Sequence, residues 1–411
     1  MTAGSRPDAH GEDVRDDHAV RADSSQTYDP AVSDAPTDRA VDLSGLRIAI
    51  AHDYLTQRGG AERVVLSLLR AFPGAVVHTT VYDPEGTFPA FRDVRIVTSP
   101  LNRIGLLRRD PRLALPLLAW ASSRMRIDAD VVVASSSGWA HAFPTDGRLL
   151  VYCHNPARWL YQTGEYLGDA GRLSPKRLVL APLRGPLQAW DRRAAHRADR
   201  YLGNSRVVVR RIADTYGIDA GLVPPPHSID AAGPQEPVPA LVDWQDGFHL
   251  VVSRLQPYKN VDRALEAFRA LPQHRLVVVG KGPLAEQLRA LAPANARLVS
   301  GLSDAQLRWT YAHATALIAP SYEDFGLTPL EAAAFGRPTL ALHAGGYLDT
   351  IDPAINGAFF ETATADAIAD AVTSTASRPW DSAAIRRHAD TFSEARFIAS
   401  VRAEVAALTG R

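Results

Sequence analysis

Two carboxylates, Glu323 and Glu331, lie in one short stretch, "SYEDFGLTPLEAAAFGRP" (321–338), separated by a Gly and a Thr-Pro step. Such a step marks a turn into a helix, placing Glu323 in the loop and Glu331 on the helix behind it. Thr328-Pro329-Leu330-Glu331 has the form of a capping box: Thr caps, Pro takes the first helical position, and Glu returns to the cap's N–H. That accounts for Glu331 and leaves Glu323 without a task. The backbone N–H groups of Gly326, Leu327, Thr328 and Leu330 open the helix, and helix starts attract anions. Upstream, Arg254 and Lys259 in "SRLQPYKN" put a guanidinium fork and an ammonium near one point. That pair suits a diphosphate, or it is two ordinary surface cations.

The first half carries its own candidates. Gly59-Gly60, in "HDYLTQRGGAERVV" (52–65), follows a strand and permits close approach of backbone to a ligand, although a plain strand-to-helix turn also needs small residues. His154, in "YCHNPARWLY" (152–161), falls at a strand end ahead of Asn155-Pro156. Ser136, Ser137 and Gly138 end another strand and are candidates for lining an acceptor. Asp128-Ala129-Asp130 precedes a strand instead of ending one, so it reads as a surface turn and not a metal site.

These residues need elements to hold them. Short Val/Leu/Ile runs without alternation recur along the chain, each followed by a helical stretch. In the first half they are "LRIAIAHD", "AVVHTTVY", "VRIVTS", "DVVVASSS", "RLLVYCHN" and "RYLGNS"; in the second, "FHLVVSRL", "HRLVVVGKG", "ARLVSGL", "ATALIAPS" and "RPTLALHAGG". Strands buried on both faces of a parallel sheet look like this. The expected fold class is therefore α/β, with two Rossmann-like doubly wound domains that face each other across a cleft and whose ligands lie beyond the carboxyl ends of the strands. Residues 1–44 read as a disordered acidic tail and 45–225 as the first Rossmann-like domain. The Pro-rich stretch 226–244 reads as a linker and 245–390 as the second domain.

Composition narrows the class. With 411 residues and a formal net charge of zero, the chain has no charge field that argues for nucleic acid. Cys153 is the only cysteine, so no intrachain disulfide forms and no cysteine cluster holds zinc. A reducing, cytoplasmic setting is expected, and no signal-peptide core is evident. The most apolar run, "LALPLLAWA" (113–121), is about half the roughly 20 residues a membrane span needs. Arg103, Arg108, Arg109 and Arg112 flank leucines ahead of it, and Lys176, Arg177, Arg184, Arg192, Arg193, Arg197 and Arg200 form a second basic run. A peripheral association with an anionic membrane is expected from that imbalance, against the alternative of a solvated helical face.

Arg254 and Lys259 in "SRLQPYKN", then "VVGKGP", then "PSYEDFGLTPLEAAAFGRP", resemble the retaining glycosyltransferases of family four, which have the GT-B fold. "HDYLTQRGGAERVV" and "YCHNPARWLY" resemble their bacterial polysaccharide branch, including O-antigen mannosyltransferases. The resemblance covers roughly residues 46 to 410, with the motifs in the family's order. It implies a nucleotide-sugar donor, GDP- or UDP-linked, and a glycan or lipid-linked acceptor. GDP-mannose is the expected donor. The resemblance implies that Arg254 and Lys259 hold the donor diphosphate, Glu323 the hydroxyls of the transferred sugar, and Glu331 the nucleoside ribose. Gly59, Gly60, Gly326, Leu327 and Thr328 would complete the donor site, with His154 beside the transferred sugar. No cofactor or metal is expected, and the C-terminal helix (391–411) is expected to return to the first domain. Asp349 stands where relatives often carry Glu, and Lys281 in "GKGP" where acids are common.

Two other readings compete: a UDP-sugar enzyme with a soluble acceptor, and a nucleotide-sugar binding protein without turnover. A dinucleotide-dependent oxidoreductase is disfavoured because "HDYLTQRGGAER" lacks the G-x-G-x-x-G spacing.

Overall fold

The computed structural model describes residues 41–109, 115–162, 175–227 and 229–411. Most of the acidic tail and Arg112 lie outside these residues, as do the side chains of Arg109, Lys176 and Arg177. The first sheet contains β1 (Ile48–His52), β2 (Val76–Thr79), β3 (Ile96–Thr98), β4 (Val131–Ser136), β5 (Arg148–Cys153), β6 (Arg200–Gly203) and β7 (Gly221–Leu222). The second contains β8 (Phe248–Val252), β9 (Leu276–Val279), β10 (Ala296–Val299), β11 (Ala314–Ala319), β12 (Thr339–Leu342) and β13 (Gly357–Phe360). Their orders are β3-β2-β1-β4-β5-β6-β7 and β10-β9-β8-β11-β12-β13. All pairings are parallel. The fold is two Rossmann-like α/β sheets, and every apolar run read from the sequence contains a strand.

In each sheet the order reverses beside the first strand, between β1 and β4 and between β8 and β11. The crevice at such a reversal is where ligands bind in open α/β sheets. Central strands are buried on both faces, as their unbroken apolar sequences require: Val131, Val132 and Val133 of β4 are fully enclosed.

The chain's last helix, Glu394–Thr409, packs on the first domain. Phe397, Val401, Val405 and Ala406 enter the core beneath β1 and β5, with the Phe397 ring edge-on to Tyr152 at 5.5 Å. Arg200 adds a two-pronged bond to Glu404, at 2.9 and 3.1 Å. Within 226–244, Val238, Leu241 and Trp244 are buried in the second domain's core. Among the described residues, no helix is long and apolar enough to cross a membrane.

Candidate active site

The chain leaves β8 through Arg254, whose exposed guanidinium donates to Tyr258 Oη at 3.0 Å. A single 3-10 turn, Pro257–Lys259, then brings Lys259 inward until it is only 7% exposed. Its ammonium forms an ion pair with Glu323. Asn260 ends that turn in the left-handed region, φ 51°, which Asn tolerates. Its amide donates to Pro320 O at 2.9 Å, tying the loop after β8 to the loop after β11. Glu323 also accepts from Ser321 Oγ at 3.0 Å. Arg254, Lys259 and Glu323 thus gather at the reversal point of the second sheet.

Gly326 turns the loop into the helix Leu327–Ala334 with φ 84°, and a Cβ there would lie 2.5 Å from the Tyr347 ring. Only glycine fits both the backbone and the space. The expected capping box does not form. The helix starts at Leu327, ahead of Thr328, because Gly326 supplies the turn that a Thr cap would have made, and Pro329 is its third residue. Glu331 accepts from Tyr311 Oη at 2.7 Å.

Across the domains, the helix Gly60–Ala71 begins opposite. A Cβ on Gly60 would lie 3.4 Å from the Leu327 side chain, so the starts of the two helices face each other. The neighbouring Gly59 N–H donates to Glu62 at 3.0 Å, within its own helix turn. Partial positive charge from two helix starts and two cationic side chains is thereby brought toward one region.

His154 follows β5, and its N–H donates to Ser136 O at 2.8 Å. Its Nε2 lies 2.8 Å from Ser135 Oγ, which lies 3.1 Å from His52 Nδ1; His52 Nε2 is 3.9 Å from Glu62. Burial, together with the nearby His52, pushes the His154 pKa down to about 3, so the ring is neutral. Burial alone would also lower the His52 pKa, but the Glu62 and Asp53 carboxylates and the Ser135 bond outweigh it and raise it. Ser136 Oγ, in turn, meets His141 Nδ1 at 3.2 Å.

Several residues at the site were not singled out from the sequence. Asp53, at the end of β1, accepts the N–H groups of Ser137, Trp139 and Ala140 at 2.6–2.7 Å and so shapes the loop after β4. His52 and Glu62 belong with His154. Asp324, Asn155, Arg158 and Arg211 meet where the domains touch. An Asp placed directly after a strand, or beside Glu323, was the available signal.

Asp128 and Asp130 both bind Arg47, which accounts for that pair structurally. Among the described residues, no group of three or more His, Cys, Asp or Glu side chains is arranged to hold a metal.

Two facing Rossmann-like sheets with polar residues gathered at their reversal points define the GT-B class. Residues 58–230 match the family model described as Glycosyltransferase Family 4, and residues 240–391 the model described as Glycosyl transferases group 1. The chain belongs to the family-four glycosyltransferases, a retaining hexosyltransferase family that transfers sugar from a nucleotide-sugar. A GDP-mannose-dependent alpha-mannosyltransferase of Corynebacterium glutamicum is 27% identical over 338 residues, covering 76% of this chain and 76% of its own. A glycogen synthase of Pseudomonas aeruginosa is 38% identical over 130 residues, covering 30% of this chain and 25% of its own. In fold, the chain is similar to Anabaena HepE in complex with UDP and glucose. That likeness has a TM-score of 0.61 at 16% identity and covers 88% of this chain and 99% of that one.

Proposed function

We propose that this glycosyltransferase moves mannose from GDP-mannose, with retention, to a lipid-linked or glycan acceptor of the cell envelope. The observation that carries the reading is the convergence of Arg254, Lys259 and the Leu327 helix start beside Glu323. Departure of a nucleoside diphosphate builds negative charge on oxygen, and preorganised cations and N–H groups stabilise it most where it develops. Glu323 then holds hydroxyls of the transferred sugar, Glu331 the ribose, and neutral His154 a sugar hydroxyl through a hydrogen bond. Attack comes from the face the leaving group vacates, and the departing phosphate accepts the acceptor's proton. The likeness to the GDP-mannose-dependent relative, extending over both domains, supports the choice of donor.

An anionic membrane surface fits the acceptor side. Ile104, Leu106, Leu117 and Trp120 are exposed on the first domain, and exposed Arg103 and Arg108 lie close to them in sequence. The Arg124 guanidinium sits over the Trp120 ring at 5.1 Å. The second basic run contributes less than its sequence suggests: Arg184, Arg192 and Arg197 each bind a backbone carbonyl and Arg200 binds Glu404.

Donor hydrolysis measured over GDP-, UDP- and ADP-linked hexoses, with and without excess EDTA, tests the reading. GDP-mannose should be consumed fastest, and chelation should not stop it. Preference for a UDP- or ADP-sugar would overturn the donor assignment, and metal-restored activity would overturn the stabilisation by side-chain cations.

A further inference from the structure

Asp324 follows Glu323, yet its carboxylate is taken up by the other domain. It is 8% exposed. Oδ2 accepts from Asn155 Nδ2 at 2.7 Å and from Arg158; Oδ1 accepts from Arg211 at 2.5 Å. Arg211 donates its other nitrogen to Tyr322 Oη at 3.1 Å. Asn155 in turn follows His154. One carboxylate therefore joins the residue after Glu323 to the residue after His154.

A second contact sits beside it. The helix Arg206–Tyr216 presents the Arg206 N–H to Asp349 Oδ2 at 2.9 Å. Burial raises the Asp349 pKa, while the Arg206 N–H and side chain act against that rise. Asp349, in the short helix Tyr347–Thr350 after β12, thus holds the first residue of this first-domain helix, and Asp324, in the loop after β11, holds Arg211 at its middle. The Arg158 pKa is lowered by burial and by the neighbouring Arg211 charge. Two guanidiniums so close repel unless an anion lies between them, and Asp324 is that anion.

The glycines behind the loop fix where Asp324 can be. A Cβ on Gly345 would lie 2.3 Å from Glu323 O, and one on Gly346 2.2 Å from Phe325 Cα. Gly346 N–H donates to Glu323 O at 2.8 Å. The segment 323–325 is therefore clamped from behind by backbone, and its reach to the other domain passes through Asp324.

We propose that Asp324 is a positioning residue, an interdomain clasp that brings Glu323 and His154 onto the same sugar. This rests on the transfer reading for its kinetic consequence, but the clasp itself is a property of the two domains. A buried carboxylate held by two guanidiniums and an amide is costly to separate once formed, so the closed arrangement is favoured when all partners are present. The side chains assigned to the nucleotide, Arg254, Lys259 and Glu331, all lie on the second domain. Loss of the clasp should therefore leave nucleotide binding in place and weaken transfer.

The test uses Asp324→Asn, which keeps shape, and Arg211→Met on the opposite side. Isothermal titration with GDP should give dissociation constants within about threefold of wild type, while kcat falls on the order of 30-fold or more. The double variant should lose little beyond either single variant, as residues of one network do. Asp324→Glu should recover part of the rate, and solution X-ray scattering should show a larger radius of gyration for Asp324→Asn at unchanged melting temperature. Wild-type kcat and scattering in Asp324→Asn would overturn the proposal. So would GDP affinity and thermal stability falling in step with the rate, which marks a merely structural residue. If the wild type transfers no sugar to any acceptor, the scattering comparison still decides whether the clasp exists, and the function reading fails separately.

Discussion

Lys259 and Glu323 neutralise each other in a site where Lys259 is nearly enclosed, so each variant leaves a charge without its partner. Glu323→Ala and Lys259→Ala should each reduce transfer on the order of 100-fold or more, the usual cost of removing one group that stabilises developing charge. They should differ in binding: Lys259→Ala weakens GDP, and Glu323→Ala leaves GDP affinity near wild type. Steady-state kinetics and GDP titration of both check this, and near-wild-type turnover in either would contradict the donor-site assignment. Glu323, Arg254 and Lys259 were legible in the sequence because their residue types and strand-end positions carry their chemistry. Asp324 was not, because its partners Asn155, Arg158 and Arg211 lie 113 to 169 residues upstream and only folding brings them together.

At the level of single elements, β8 hides a titratable group in its core. His249 is buried against Phe268 and His274, and burial followed by the His274 charge lowers its pKa to about 4. The unfolded chain binds a proton near pH 6.5 that the native state refuses. Stability should therefore fall as pH drops from about 6.5 toward 4, by roughly 2–3 kcal/mol from this residue. His154 acts in the same direction. His52 acts in the opposite one: its raised pKa adds stability below the unfolded value, lost as pH rises through the folded value. Melting temperatures from pH 7 to 4 should decline less steeply in His249→Phe than in wild type; parallel curves would contradict the assignment. Strand content was legible because buried parallel strands are unbroken apolar runs. β7 and β13 escaped because one has two residues and the other, Gly357–Phe360, opens on Gly and contains no Val, Ile or Leu. The Thr328 cap was misplaced by two residues because Gly326 turns the chain through a positive φ that the Thr-Pro-Leu-Glu pattern does not record.

The whole molecule is two sheets joined by a returning helix, with exposed apolar side chains and arginines on the first domain. If that face meets a membrane, the protein should sediment with anionic vesicles at low salt and less so at high salt, each Arg near the surface contributing roughly 1 kcal/mol. Trp120→Ser and Arg108→Glu should each reduce binding without changing GDP affinity. Protein left in the supernatant at low salt would favour a soluble acceptor. The doubly wound architecture was legible from the repeated strand-helix order, and two such domains were expected to face each other across a cleft; which residues touch across it was not legible. Contacts such as Gly60 with Leu327 depend on how the domains dock, which local sequence does not encode. The most direct test of the account is a crystal structure of the full chain with GDP. The diphosphate should lie at the start of the Leu327–Ala334 helix, within hydrogen-bond distance of Arg254 and Lys259, with the ribose on Glu331. A diphosphate seated elsewhere, or held by neither cation, would contradict it.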